Sequence, residues 1–460
     1  MPVTMALDWL GRIQHELLLF AAVWFAIGAL DEWGVDLLWL WLRITGRVRT
    51  GRVETRSNAP LRGVSAVLVP AWQEAGVVGA MLSHCLSVWP QRDLLIYAGC
   101  YRNDAATLAA MTAAGNDPRL RIVVHDVDGP TTKADCLNRL YAAMRDDEVR
   151  SKCRVRAVIL HDAEDMVHRD ALVALDRALD TADFVQLPVR PEPQAASRWI
   201  AGHYCDEFAE SHGKGMVVRD WLGVGLPAAG VGCAFRREAI DAIAARRGGR
   251  EPFAAECLTE DYEFGLLVGE IGRRARFLRL RDARGGLVAT REFFPGSLSS
   301  AVRQKTRWLH GIAYQGWERL GWSARPLELW MRLRDRRGPL TALVLAVGYL
   351  LIVLTPLTAV GVWSGLSAPP PPDPVIRALL IFNFVALAWR VAMRAAFTTR
   401  EYGAAEGLLA IARMPLANIV AIMAGRRALG AYLAALRSGL VRWDHTVHFA
   451  HPSMVPAAVR

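Results

Sequence analysis

Four short polar clusters stand directly behind apolar runs, and their residue types suit chemistry on an anionic, oxygen-rich ligand. The most pointed is HDAED (His161 to Asp165). It follows AVIL, so its first carboxylate emerges from a buried strand. Asp162 and Glu164, one residue apart, suit a hard divalent cation such as Mg2+ or Mn2+, which keeps waters and binds phosphate oxygens. Taken alone, such an acidic cluster is usually a solvated face, and the metal reading gains weight only together with the motifs that follow. PAWQE brings Glu74, YRND brings Asp104, and GPTTKADCLN brings Lys133. Glu74 and Asp104 could also simply favour a helix N-terminus. Further on, LTEDYEFG carries Glu260 and Asp261, RQKTRW carries Gln304, Arg307 and Trp308, and PAAGVG carries Gly230 and Gly232. Trp308 has two readings, an aromatic face for a ligand or an anchor at a membrane interface. The two glycines allow a close backbone approach or a plain turn.

The elements that must position these groups are legible as runs. VSAVLVPA (64–71), LLIYAGC (94–100), LRIVVHD (120–126), AVILHDA (157–163) and FVQLPV (184–189) read as buried strands, most of them separated by Ala-rich amphipathic stretches. That rhythm predicts an α/β fold with a largely parallel sheet and helices on both faces. In such sheets ligands bind beyond the carboxyl ends of the strands, where the polar clusters stand. There is no Walker motif, no GxGxxG and no nucleophile elbow. His161, His168, His203, His212 and His310 have no ligand spacing, so local hydrogen bonding is expected of each. The seven cysteines form no CxxC pair, which argues against a zinc site or a disulfide scaffold and fits a reducing cytosol.

Composition sets the surroundings. The chain has 460 residues, 53% of them hydrophobic and 22% charged, with a mean hydropathy of +0.18. That is too apolar for an ordinary soluble enzyme and too charged for a chain wholly within a membrane. The net charge of +10 comes from 51 Arg and 4 Lys. Charge alone does not imply nucleic acid, and none is expected as a partner. Much of the arginine lies beside apolar segments, where it would meet an anionic lipid surface. Pro339 to Trp363 exceeds the roughly 20 residues needed to cross a bilayer. After the Pro-rich turn SAPPPPDP (Ser367 to Pro374), Val375 to Ala395 forms a second span. At the N-terminus, Glu16 to Leu30 is apolar, then Asp31, Glu32 and Asp36 interrupt before LLWLWLRI. One span plus a Trp-rich interfacial helix is expected there, and the lack of positive excess before it argues against a signal peptide. Ala404 to Gly425 contains Arg413 and Pro415 and is expected to lie in the interface. The expectation is thus three spans, N-terminus outside and C-terminus inside, with the basic loops and middle region in the cytosol. The chain divides into an N-terminal span and interfacial helix (1–62), an α/β domain (63–290), interfacial helices with the QxxRW element (291–337), and two spans, an interfacial helix and a basic tail (338–460).

DxD-like, TED and QxxRW elements in this order, between apolar segments, resemble the membrane-integrated family-2 glycosyltransferases, such as the cellulose, chitin and hyaluronan synthases. PAWQEAGV, GPTTKADCLN, ILHDAEDMV, EFAESHGK, PAAGVG, LTEDYEFG, REFFPGSLSSAVRQKTRW and the late RWDHTVH resemble more closely the inner-membrane phage-adsorption protein B (NfrB) type, over about residues 16 to 450. The resemblance implies a GT-A fold and an inverting transferase of the bacterial inner membrane that uses a nucleotide-diphospho-sugar, UDP-linked, to extend an exopolysaccharide. It implies Asp261 as catalytic base. Glu74, Asp104, Lys133, Asp162, Gln304 and Arg307 would bind the donor, and Asp162 and Glu164 a divalent metal. Trp308, Glu260, Gly230 and Gly232 would meet the glycan acceptor. Glu164 stands where many synthases have Asp. Three spans are fewer than in synthases that form their own channel, which leaves the export path to an outer-membrane partner or a homo-oligomer. Two other functions stand beside this one: transfer of a single sugar to a lipid acceptor, and a non-catalytic membrane scaffold or phage-entry component.

Overall fold

A computed structural model describes residues 3–249, 251–366, 373–438 and 450–454. The RWDHTVH motif (442–448) and most of the Pro-rich turn lie outside the described residues. The five runs read as strands all form strands. Val64–Pro70 (β1), Leu94–Tyr101 (β2), Leu120–His125 (β3), Val155–Leu160 (β4) and Phe184–Gln186 (β5) are joined by Cys233–Arg236 (β6) and Ala275–Phe277 (β7). The seven-stranded sheet has the order β3-β2-β1-β4-β6-β5-β7. The first four strands are parallel, and β6 lies antiparallel between β4 and β5. The alternation of side chains explains why β1 reads as a continuous apolar run. Val67 and Val69 pack with Met81, Leu82 and Trp89, whereas Ala66 and Leu68 pack with Leu137, Leu140 and Phe235. Both faces are covered, so the five central positions, Ser65 to Val69, are buried.

Helices then bring the motifs to the carboxyl ends of these strands. Thr132 caps Lys133–Ser151 by accepting from the Asp135 N–H at 3.2 Å, which sets Lys133 at its first turn. Glu260–Glu270 begins at the TED acids, where the positive end of the helix favours negative charge. Ser297 caps Leu298–Leu309, the helix of the QxxRW element, by accepting from the Ser300 N–H.

Four helices among the described residues are long and apolar enough to cross a membrane: Trp9–Ile44, Gly338–Trp363, Pro374–Tyr402 and Ala404–Ser438. One expectation is corrected. The N-terminal segment is one continuous helix, Val3–Ile44, rather than a span followed by a separate interfacial helix. Its acids do not break it because each is met by another element. Asp31 accepts from the Trp330 indole at 2.6 Å and pairs with Arg334 and Arg337. Glu32 pairs with Arg334 at 3.1 Å, and Asp36 accepts from the Trp389 indole at 2.8 Å and pairs with Lys214. Ala404–Ser438, where an interfacial helix is expected, is among the four by length and composition, and Arg413 does not interrupt it. The Arg413 guanidinium is fully buried, on Asp206 at 2.8 Å and Glu406 at 2.7 Å. This last helix nevertheless touches the α/β domain and its neighbours along its length. Arg413 meets Asp206, Val420 packs with Tyr204 and Trp308, and the Tyr432 hydroxyl reaches Glu318 at 2.6 Å.

Replacing Arg413 by Ala leaves Asp206 buried without its countercharge. It is expected to cost about 3–5 kcal/mol of stability, read by denaturant unfolding of the purified protein in detergent. A loss under about 1 kcal/mol would show that the pair does not join the helix to the domain.

Candidate active site

Strand ends and helix starts close around one cavity of about 610 Å3. Its wall includes Glu74, Lys133, Asp162, Glu164, Glu260, Asp261, Gln304, Arg307 and Trp308, drawn from segments that span more than 230 residues of sequence. The Lys133 ammonium lies 2.5 Å from Asp162 Oδ1. Burial works against its charge, but Asp162, Glu260 and Asp261 outweigh burial and hold the ammonium well above its ordinary range. The acids feel the converse. Burial and the neighbouring Asp261 push Glu260 up to about 7, with Lys133 opposing. Burial also raises Asp261, against Lys133, the backbone N–H of Tyr262 and the positive charge of Arg307. Asp261 Oδ1 accepts that Tyr262 N–H at 2.7 Å, which orients the carboxylate.

Within HDAED the three acids divide. Asp162 and Glu164 line the cavity, whereas Asp165 is fully buried and braces the turn. It accepts from the Asp162 N–H at 3.0 Å and pairs with His161 Nδ1 at 2.7 Å. A hard cation would therefore find two oxygen-bearing side chains on one wall. No group of three or more His, Cys, Asp or Glu that could hold a metal occurs among the described residues. Two carboxylates fit Mg2+ or Mn2+ on condition that the remaining ligands are water and ligand phosphate.

The QxxRW helix supplies the opposite wall. Gln304 is buried, and its Oε1 has no hydrogen-bond partner among the described residues, so it is an acceptor available to a ligand. Trp308 sits among Tyr204, Phe208 and Phe294, with ring centroids 6.2–6.4 Å apart. It is packed into the cavity wall. Gly311 permits the approach of this helix to the TED segment, because a Cβ there would lie 2.4 Å from Thr259 Oγ1.

Three expected residues stand elsewhere. Asp104 does not line the cavity. Its carboxylate caps the helix Ala105–Ala113 on the Thr107 N–H and accepts the Gln73 N–H at 2.6 Å, so it shapes the loop that carries Glu74. Gly230 lies behind Asp261 at φ +77°, where a Cβ would meet Asp261 Oδ2 at 2.5 Å. Gly232, at φ +59°, is packed against Thr290. Both glycines shape the wall without lining it. Four of the five histidines hold hydrogen-bond or charge partners: His161 on Asp165, His203 on the Ile200 carbonyl, His212 on the Val189 backbone at 3.0 Å, and His168 beside Asp282 at 3.4 Å; His310 instead packs edge-on against the rings of Tyr314 and Tyr432. All seven cysteines are free thiols.

Several lining residues carried no assigned role in the sequence reading. Glu207, from EFAESHGK, pairs with Lys305 of the QxxRW helix, and Gln186 at the end of β5 accepts the Ala229 N–H at 2.8 Å. Tyr101 closes another side, its hydroxyl 2.6 Å from Thr131 Oγ1 and its ring edge-on to Trp72. A signal for Glu207 was present, since its segment repeats acids at helical spacing beside the rare lysines, but the partner lies 98 residues away.

Comparison with known proteins agrees with this architecture. The family model "Glycosyltransferase like family 2" matches residues 62–311, which reach from the first strand through the QxxRW helix. Bacteriophage adsorption protein B of Escherichia coli K12 is 31% identical over 96% of this chain and 62% of its own length. Bacteriophage N4 adsorption protein B of Escherichia coli O157:H7 matches equally. The chain thus spans about six-tenths of the length of these curated relatives. Among solved structures, the mannosyltransferase PcManGT from Pyrobaculum calidifontis aligns with a TM-score of 0.50 at 17% identity, covering 85% of this chain and 98% of that one. This is a likeness of fold, and the fold is of the GT-A kind. With the sheet, the QxxRW helix and most of the cavity wall inside the matched region, the chain belongs to the glycosyltransferase like family 2.

Proposed function

We propose that the protein transfers a sugar from a nucleotide-diphospho-sugar, with inversion, to a growing glycan at the cytosolic face of the bacterial inner membrane. The single observation that carries the reading is the gathering of Lys133, Asp162, Glu164, Asp261, Arg307 and Trp308 around one cavity at the strand ends. Inversion is one in-line displacement. Asp261 takes the proton of the acceptor hydroxyl as that oxygen attacks the anomeric carbon, and the bond from that carbon to the diphosphate breaks. Lys133 and Arg307 meet the negative charge that develops on the leaving diphosphate, Lys133 as a point charge and Arg307 as a fork of donors. Asp162 and Glu164 would hold Mg2+ or Mn2+, which when bound supplies Lewis-acid neutralisation of phosphate oxygens. The solved mannosyltransferase of like fold is described in complex with GDP-Man and Mn2+, which supports this donor class. Trp308 and its aromatic neighbours offer flat faces to the acceptor sugar.

Topology belongs to the same proposal. Val3–Ile44 runs antiparallel to Gly338–Trp363, with Gln14 bonded to Thr355 and Asp31 paired with Arg337, which caps the start of that helix. It runs alongside Pro374–Tyr402 in the same sense, with Ala22 bonded to Asn383 and Asp36 to Trp389. This supports three spans with the α/β domain at their basic, cytosolic ends. The contacts of Ala404–Ser438 with the domain support an interfacial place for that helix. Exopolysaccharide as product, and an outer-membrane partner or second copy for its export, follow from the family resemblance. The names of the curated relatives favour a second reading, a phage-entry component of the envelope.

The test is incubation of the purified protein in lipid with a panel of nucleotide sugars and Mg2+ or Mn2+, followed by sizing of the products. Long products support polymerisation, a single added sugar the lipid-acceptor alternative, and no transfer from any donor the phage-entry reading. Asp261→Asn is expected to lower transfer by about 10³-fold while the variant stays folded and membrane-inserted, and unchanged turnover would remove Asp261 as base. Chelator should abolish activity, and its restoration by Mn2+ should be lost in Asp162→Ala; full turnover in chelator would take the metal from Asp162 and Glu164. The crowding of acids also predicts a pH effect on stability. Because the folded-state pKa of Glu260 is raised from 4.5 to about 7, its contribution is full below pH 4.5 and is lost as pH rises through about 7. Glu260→Gln removes that titration. Its unfolding free energy should exceed that of the wild type by on the order of 2 kcal/mol at pH 8, with the advantage vanishing near pH 4.5. A pH-independent difference would place the proton elsewhere.

A further inference from the structure

A second cleft, of about 770 Å3, lies where the end of Val3–Ile44, the start of Pro326–Arg336 and the end of Pro374–Tyr402 meet the β7 edge of the sheet. It shares no lining residue with the catalytic cavity. Nine arginines line it against two carboxylates. Those two carboxylates are already committed. Asp220 accepts the Phe277 N–H at 3.0 Å and the Arg276 guanidinium at 3.1 Å, and Glu328 accepts the Gly225 N–H at 2.6 Å. Arg279 and Arg273 are held by acids outside the cleft, Glu401 at 2.6 Å and Asp183 at 2.9 Å, and Arg400 lies 3.8 Å from the same Glu401. Five arginines remain, Arg43, Arg47, Arg49, Arg274 and Arg325. Their side chains are exposed and, among the described residues, none has a carboxylate within 4.0 Å. Such a concentration of like charge is unfavourable unless an anion enters. In the wall itself, burial pushes Arg279 down to about 10, with Arg400 and Arg281 adding to it and Glu401 opposing. Two tryptophans flank the mouth: Trp41, with the Arg47 guanidinium 4.4 Å from its ring centroid, and Trp221, edge-on to Trp41 at 5.6 Å. Neither ring is buried.

We propose that this cleft is a binding site for a phosphate-bearing anion, separate from the catalytic cavity. Guanidinium forks match phosphate oxygens two at a time, and several forks around one concavity select a group with two or more anionic oxygens over a lone carboxylate. Two sources present that chemistry: the headgroup of an anionic phospholipid reaching in from the membrane, and a soluble diphosphate. The inference stands whether or not the other cavity transfers sugar.

The experiment uses the full chain purified in detergent. Native mass spectrometry follows titration with phosphatidylglycerol against phosphatidylcholine, and equilibrium dialysis measures inorganic pyrophosphate in the absence of divalent metal. Arg43→Gln/Arg47→Gln/Arg49→Gln should weaken the responding probe by about a hundredfold, as the loss of three phosphate-facing charges implies. Arg426→Gln/Arg437→Gln, equally basic but outside the cleft, should leave it unchanged. Selective retention of phosphatidylglycerol, lost in the triple variant, identifies a lipid headgroup. One pyrophosphate site fewer in the variant than in the wild type identifies a soluble diphosphate. Should the triple variant fail to fold, as judged by thermal unfolding, Arg274→Gln/Arg325→Gln addresses the other wall. If the folded cleft variants bind both probes as the wild type does, or the control pair loses as much as they do, the site is overturned.

Discussion

The constraint on which the rest depends is that several carboxylates share one partly desolvated space with a single ammonium. Asp162, Glu260 and Asp261 cannot all be charged there at low cost unless Lys133 stands among them, and the ammonium in turn could not remain charged behind the wall without the acids. Neither partner explains itself alone. Their mutual dependence accounts for the start of the helix at Lys133, for the Gly230 that leaves room for Asp261, and for the turn that Asp165 braces behind Asp162. A cluster so arranged holds a proton near neutrality on Glu260, a poise that ordinary surface acids lack.

A second set of charges joins the apolar helices to the α/β domain. Lys214 pairs with Asp36 and, at 2.7 Å, with Glu210, and Arg394 reaches Glu210 at 2.5 Å. Arg334 and Arg337 close on Asp31 and Glu32. These pairs tie the N-terminal helix, the Ile200–Glu210 helix, Pro326–Arg336 and Pro374–Tyr402 into one network. Breaking one partner of such a buried pair is costly, so the network fixes the orientation of the domain against the bundle more firmly than apolar contact alone. The same helices keep large apolar faces exposed, Ile352, Val353, Leu357, Val360 and Phe384 among them, as expected where lipid rather than protein is the neighbour.

The strands were legible because burial on both faces leaves an unbroken apolar run, and the polar residues behind those runs were legible because a parallel sheet opens its ligand site there. Asp162, Glu164, Asp261, Gln304, Arg307 and Trp308 all reach the cavity. Asp104 was misplaced because a carboxylate before a helix looks the same in sequence whether it caps the helix or faces a ligand, and only the position of Gln73 decides between the two. The interruption expected in the N-terminal helix had a similar cause. Charges within an apolar segment suggest a break when their partners, some 300 residues away, are not in view.

The amino-acid sequence by itself determined the α/β class, the first five strands, the apolar segments and the motif residues, since each depends on local periodicity or on residue type at short spacing. Tertiary structure alone decided which acids share Lys133, that Trp308 belongs to a cavity wall, that Glu207 faces Lys305, and that arginines from three separate segments converge on a second cleft. The physical reason is that charge pairing and burial act through space over a few ångströms, and folding brings within that range groups whose separation along the chain carries no signal of their meeting.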